Sequence, residues 1–175
     1  TRKAIQLAPN DAITRSNLGT ILRDLGKLQE AELSTRKAIQ LNPEFAEAYS
    51  NLGSILKDIG NPKDAEISYL KAIEIKPDFA EFHSNLGIML IDLGKVSDAI
   101  KYFSSASRYA PNNIIHFINS KLIFSPIMQS NLQIDSERNQ YKKEINNLKN
   151  RENMYFEKPN SFFPSIFYLA YQNKQ

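Results

Sequence analysis

The sequence contains no cysteine, which excludes disulfides and cysteine-ligated zinc and is compatible with a reducing compartment, so we expect a cytoplasmic protein. Glycine is scarce, at six, and all six obey one period as Gly19/Gly53/Gly87 and Gly26/Gly60/Gly94. None is left for a phosphate-cradling loop or a dinucleotide turn. Long apolar runs are missing too: the longest, Ile166–Tyr171, falls far short of the about 20 residues that cross a bilayer, so no membrane partner is expected. Charge of one sign is not in excess, with 22 Lys+Arg against 19 Asp+Glu. Residues 1–111 carry 14 basic and 14 acidic side chains and residues 112–175 carry 8 and 5, the latter interleaved with asparagine. Phosphate-driven affinity needs a clustered stripe of Lys and Arg, so no nucleic-acid partner is expected.

Catalytic groupings are equally sparse. His83 occupies a slot that holds Tyr49 one period earlier and reads as a packed ring, and His116 has no carboxylate or histidine at i+4 to make a ligand pair. Ser104, Ser105 and Ser107 have no base in view. No catalytic residue, metal or cofactor is expected in this chain.

What is present is a repeat. Pro9, Pro43, Pro77 and Pro111 stand 34 residues apart, and TRKAIQLAPNDA (1–12) matches TRKAIQLNPEFA (35–46) at nine of twelve positions. Thr1 therefore falls in the middle of a repeat, and a missing signal peptide says little about location. Each unit reads as two helices. In the middle one, Tyr49, Leu52, Leu56 and Ile59 recur at helical spacing, Asn61-Pro62 marks a turn and a helix start, and Ala65, Tyr69, Ala72, Ile73 and Ile75 form a second stripe that Pro77 ends. Gly53 and Ala65 are expected where the helices approach closely, and Gly60 where the chain turns left-handed. A glycine inside a helix costs about 1 kcal/mol relative to alanine, so its threefold recurrence argues for close packing.

These positions, Leu52, Gly53, Gly60, Ala65, Tyr69, Ala72, Pro77 and their translates, carry a resemblance to the tetratricopeptide repeat (TPR). The resemblance implies an all-α TPR α-solenoid, antiparallel helix pairs in a right-handed superhelix, with a C-terminal helical extension. Departures are local: the aromatic slot of the first helix holds Arg15, Tyr49, His83 and Phe117, and Thr35 replaces the aromatic found at Tyr69 and Phe103. We expect a solenoid over residues 1–125, made of a partial repeat 1–11, repeats 12–45, 46–79 and 80–113, and a degenerate capping helix 114–125 that follows an Asn112-Asn113 cap. In that last unit Lys121 takes the glycine position and Ser125-Pro126 interrupts the helix. Residues 126–175 are expected to be a helical extension and linker, or the start of a further downstream domain. They include an acidic-capped amphipathic helix from about Asp135, with Ile134, Tyr141, Ile145 and Leu148 on one face, and a polar linker over 151–161. The segment SFFPSIFYLAYQ follows, dense enough in aromatics to require burial.

The most informative polar feature is asparagine at Asn17, Asn51, Asn85 and Asn119, preceded in the first three by Ser16, Ser50 and Ser84. On the first helix of each unit these amides are expected along the concave side, where a donor pair and an acceptor match the backbone of an extended polypeptide. The alternative is that each asparagine bonds a neighbouring helix and stabilises the stack. Replacing Asn51 and Asn85 by alanine is expected, on the first view, to weaken polypeptide binding with melting nearly unchanged. Asp24, Asp58 and Asp92 also repeat, either as an acidic rail of the groove or as exposed carboxylates and local caps. The inner face turns from Ser16, Thr20, Arg23, Ser50, Ser54 and Lys57 to Ser84, Ile88 and Ile91, then to Ile115, Ile118 and Leu122. The tail aromatics or a missing domain are expected to cover its apolar end.

Repeats with asparagine in this position resemble the superhelix of the O-linked N-acetylglucosamine transferase (SPINDLY-type) family. That resemblance implies that Asn17, Asn51, Asn85 and Asn119 hold acceptor polypeptide for a downstream pair of Rossmann-like glycosyltransferase domains. The exit from the repeats, Asn119–Phe124 and then Phe167–Asn173, is similar to bacterial members. The family's catalytic histidines and donor-binding lysines would lie beyond this sequence. A free-standing assembly scaffold or adaptor accounts for the repeats equally well. A clamp for a terminal carboxylate does not, because the inner faces carry Ser16, Ser50 and Ser84 where it needs Lys and Arg.

Overall fold

The computed structural model describes residues 11–121 and 131–149. Eight described helices follow one another: α1 (Ala12–Asp24), α2 (Leu28–Leu41), α3 (Ala46–Ile59), α4 (Pro62–Ile75), α5 (Ala80–Asp92), α6 (Val96–Tyr109), α7 (Ile114–Lys121) and α8 (Asn131–Lys149). The starts of α1, α3, α5 and α7 fall at 34-residue steps, as do those of α2, α4 and α6.

Local chemistry sets the boundaries. Asn61 caps α4 by accepting from the Asp64 amide at 3.4 Å, and Pro62 sits at the first helical position, where its missing N–H costs nothing. Gly60 closes α3 with φ 89°, and a Cβ there would meet no atom within 4 Å. Glycine is therefore used at Gly60 for backbone handedness and not for space. Gly53 is the opposite case, because a Cβ would lie 2.9 Å from the Tyr69 ring, and at Gly87 it would lie 2.7 Å from the Phe103 ring. In α1 the Asp11 carboxylate accepts from the amide and hydroxyl of Thr14, which holds its pKa below the usual value.

The helix pairs α1·α2, α3·α4 and α5·α6 pack as antiparallel hairpins, and each second helix packs on the next first helix. One core cluster runs through two units: Leu52 and Leu56 from α3, Ala65 and Tyr69 from α4, Leu86, Met89 and Leu90 from α5, Ala99 and Phe103 from α6. Burying each large member stabilises by about 1.5–3 kcal/mol. Of the stripes read from sequence in the middle unit, Leu52, Leu56, Ala65, Tyr69 and Ala72 are buried and Tyr49, Ile59, Ile73 and Ile75 half-buried, while Ile55, which the stripes left out, is fully buried. His83 is a packed ring, 5.3 Å from the Tyr109 ring, with Nε2 2.7 Å from the Pro77 carbonyl oxygen.

The stack curves. First helices touch across units, α1 on α3 and α3 on α5, whereas no second helix packs comparably on the next one. Closer approach on one side bends the array toward the first helices, which makes theirs the inner face.

At the C-terminal end α7 packs on α6, and Asn113 caps it by accepting from the Ile115 amide at 3.0 Å. One boundary needs correction: α8 starts at Asn131, not near Asp135. Asp135 lies inside the helix and pairs at 3.7 Å with Arg138 instead of capping the first turn. The expected partial repeat (but for Asp11), the Ser125-Pro126 break, Leu122, the linker 151–161 and the aromatic segment 161–172 lie outside the described residues.

Candidate peptide-binding groove

The inner face is built from α1, α3 and α5, and two sets of bonds cross it from each unit to the next. Asn51 Nδ2 on α3 donates to Ser16 Oγ on α1 at 3.0 Å, and Asn85 Nδ2 on α5 donates to Ser50 Oγ on α3 at 3.2 Å. Two turns further along the same helices, the Arg23 guanidinium pairs with Asp58 at 2.8 Å and Lys57 pairs with Asp92 at 3.2 Å. All four contacts join residues 35 apart in sequence. The steps from α1 to α3 and from α3 to α5 are thus each held in register by one neutral hydrogen bond and one ion pair. Surface pairs of this kind contribute about 0–1 kcal/mol each.

This geometry changes two sequence expectations. Ser16, Ser50 and Ser84, expected to line the open groove, are buried instead. They sit at the seam between first helices, where the next unit's asparagine covers the two it bonds. Asp58 and Asp92 are exposed carboxylates, as one of the expectations had it, but form no bare acidic rail, because each is paired with a cation of the preceding unit. Asp24 differs: it is exposed and has no ion-pair partner among the described residues.

Asn51 and Asn85 are half-buried, Asn17 is exposed and Asn119 is buried on α7. The bonded amide groups are engaged on one side only. Nδ2 donates to serine, while Oδ1 has no hydrogen-bond partner among the described residues. Alanine at Asn51 or Asn85 would strip a bond from a buried serine, so melting would not stay unchanged as expected from sequence. About 1 kcal/mol per site is the expected cost.

Between the two rails the floor of the groove is set by Thr20, Ser54 and Ile88, which occupy equivalent places and are all part-exposed. Ser54 also links the helices of its own unit, its hydroxyl lying 2.9 Å from the Tyr69 hydroxyl. Burial pushes the Tyr69 phenol above its usual value near 10, with the Ser54 hydrogen bond opposing the shift. Ile88 and Ile91 pack against the core cluster and are half-buried, and Ile115 and Ile118 on α7 are likewise part-exposed. The bonds of Asn51 and Asn85 are those of the alternative raised in sequence, an asparagine bonding a neighbouring helix; the ion pairs were missed, although opposite charges at Arg23/Asp58 and Lys57/Asp92 were a signal that could have found them.

Among the described residues no group of His, Asp and Glu is placed to hold a metal ion, and no helix is long and apolar enough to cross a membrane.

Family models match three overlapping stretches: a TPR repeat over residues 19–60 and tetratricopeptide repeats over 46–79 and 68–101. The fold is similar to the crystal structure of MamA, with a TM-score of 0.68 and 24% identity over 85% of this chain and 84% of that one. It is also similar to a second crystal structure of MamA protein, with a TM-score of 0.60 and 22% identity over 85% of this chain and 75% of that one. No curated protein matches the sequence. Repeat sequence over residues 19–101 and helix packing thus agree on a tetratricopeptide-repeat α-solenoid fold, and repeats of this kind indicate a protein–protein interaction module.

Proposed function

We propose that the inner face holds an extended polypeptide through the asparagine ladder Asn17, Asn51 and Asn85; Asn119, expected as a fourth step, is buried on α7 and is left out of this reading. The observation that carries this reading is the one-sided engagement of Asn51 and Asn85: serine fixes each amide through Nδ2 and leaves an oriented, part-exposed Oδ1 acceptor. Acceptors fixed at regular steps along a curved face suit the N–H groups of an extended chain and do not discriminate among its side chains. Ser16 and Ser50 act in this reading as orienting groups, and Asp58 and Asp92 help hold the spacing of the steps. Asp24 adds a carboxylate at one end.

The test is anisotropy titration of a fluorescein-labelled, unstructured Ser/Thr-rich peptide. Asn51→Ala with Asn85→Ala is expected to weaken binding about 5- to 150-fold, from two lost hydrogen bonds of about 0.5–1.5 kcal/mol each. Ser16→Ala with Ser50→Ala removes the same stacking bonds but keeps both amides, and is expected to stay within about threefold of the parent. Equal losses in the two pairs would contradict the proposal.

The finer reading is that residues 1–125 are the acceptor-binding arm of an O-GlcNAc-transferase-like glycosyltransferase, with 126–175 leading toward a catalytic domain. It is supported by the asparagine-bearing repeat pattern and by the resemblance of the segment after the repeats. Reading the gene past the Gln175 codon tests it: several hundred further residues of alternating strand and helix would support the arm, and a prompt stop codon would contradict it. The stacking role of the buried serines favours a second reading, a non-enzymatic assembly scaffold in which the asparagines serve the stack alone.

A further inference from the structure

Helix α8 stands outside the repeats and follows a period of its own. Asn131, Ile134, Arg138, Tyr141, Ile145 and Leu148 recur at alternating steps of three and four residues from one end of the helix to the other. That is the 3.5-residue period of a coiled-coil seam, with Asn131, Arg138 and Ile145 at its a positions and Ile134, Tyr141 and Leu148 at d. The flanking positions are charged and segregated by sign, with Glu137 and Glu144 at g and Lys142 and Lys149 at e. Leu132, 83% exposed, lies off the seam. The helix is also set apart in the fold: α7 packs on α6, whereas no helix among the described residues packs comparably on α8.

We propose that α8 pairs with α8 of a second copy of this chain as a parallel two-stranded coiled coil. Charge complementarity selects both the occupant and the orientation. In a parallel pair each g residue faces the e residue five positions on in the other helix, so Glu137 meets Lys142, and Glu144 meets Lys149, of the second copy. The two-fold axis repeats both contacts on the other side of the seam. An antiparallel pair would set Glu137 against Glu144 and Lys142 against Lys142, gaining only Asp135 against Lys149. The polar a positions agree with the parallel choice. Asn131 meets Asn131 across the axis, where amide donor and acceptor match, and a single asparagine at a fixes the register. Arg138 at a lies beside Glu137 of the second copy, and its pairing with Asp135, 3.7 Å apart between exposed groups, costs little to exchange. The seam is short, 19 residues or about 28 Å, so the dimer is reversible and depends on concentration. Because the repeats precede α8, both solenoids sit at the same end of the coil. This pairing is independent of what the groove holds.

Sedimentation equilibrium of the whole chain over a concentration series is expected to show a monomer in equilibrium with a dimer. Glu137→Lys with Glu144→Lys sets lysine against lysine, and Lys142→Glu with Lys149→Glu sets glutamate against glutamate. Each double variant alone should dimerise at least about tenfold more weakly, and an equimolar mixture of the two should regain the affinity of the parent. Orientation is read separately. The chain has no cysteine, so Asn131→Cys introduces a single thiol, which a parallel pair should convert to a disulfide-linked dimer on mild oxidation. An antiparallel pair would hold the two thiols about 25 Å or more apart. Ile145→Glu should prevent the dimer, and at concentrations where the parent is monomeric it should leave the melting temperature unchanged. A parent that stays monomeric at millimolar concentration, a dimer indifferent to the charge exchange, or a dimer that Asn131→Cys does not cross-link would each overturn the proposal. So would a monomer that Ile145→Glu melts earlier, since α8 would then lie on its own repeats.

Discussion

Helices α3 and α5 occupy equivalent places in consecutive units and share one set of contacts while differing in another. Leu52 and Leu86, Gly53 and Gly87, Leu56 and Leu90 pack in the same way, each glycine beneath an aromatic ring, although Ala48 and Ile55 give way to the equally buried Phe82 and Met89. Toward the inner face they diverge, with Ser54 and Lys57 on α3 against Ile88 and Ile91 on α5. Stacking fixes the first set, because every unit must fit the next. The second set is less constrained, since Ser54 bonds Tyr69 and Lys57 pairs with Asp92 on the polar side while Ile88 and Ile91 pack against the core. Under the proposed reading this is where the character of the groove changes.

The strongest test of that equivalence is to cut into the core on both sides. Leu52→Ala and Leu86→Ala should each cost about 2–5 kcal/mol by denaturant unfolding, with the two values close together. A large gap between them would break the equivalence. Next come the glycines: Gly53→Ala and Gly87→Ala force a Cβ against Tyr69 or Phe103, at an expected net cost of about 1–3 kcal/mol despite the better helix propensity of alanine. Gly87→Ala should be the costlier, because its ring lies closer.

A smaller effect distinguishes the two rings. Tyr69→Phe copies Phe103 and loses one hydrogen bond to Ser54, for about 0.5–1.5 kcal/mol. It also changes the pH response. Since burial raises the phenol above about 10, the stability that neutral Tyr69 contributes is complete below that value and is lost as pH rises through the raised one. The parent should therefore melt progressively earlier above pH about 10, and Tyr69→Phe should flatten that decline. Smallest of all, Ile88→Ser with Ile91→Lys converts the inner face of α5 to that of α3 and should cost about 1 kcal/mol or less, the lysine stem covering the same surface. A loss as large as that of Leu86→Ala would place these isoleucines in the core and erase the distinction between the faces.

Much of this was legible in the sequence. The 34-residue period, the helix pairs, Gly60 as a turn and Gly53 as a contact all follow from local rules of conformation and spacing. The seam between units was legible only as an alternative role for the asparagines, without its partners. A helical projection puts Ser16 and Ser50 on the inner face but cannot tell an open position from one covered by the next helix, and that cover comes from residues 35 positions away. The aspartates were read within their own unit for the same reason, although their cations lie in the unit before. For α8, Asp135 looked like a cap. The helix extends back through Leu132, which is 83% exposed and lends no apolar periodicity to mark the first turn.

The central claim is that polypeptide lies along the first helices. It is tested most directly by placing a photoactivatable cross-linker singly at Thr20 or Ser54 on the inner face, and at Leu33 or Ile67 on the exposed second helices. Irradiation with the labelled Ser/Thr-rich peptide should capture it from Thr20 and Ser54 and not from Leu33 or Ile67. Capture from the second helices alone would contradict the account.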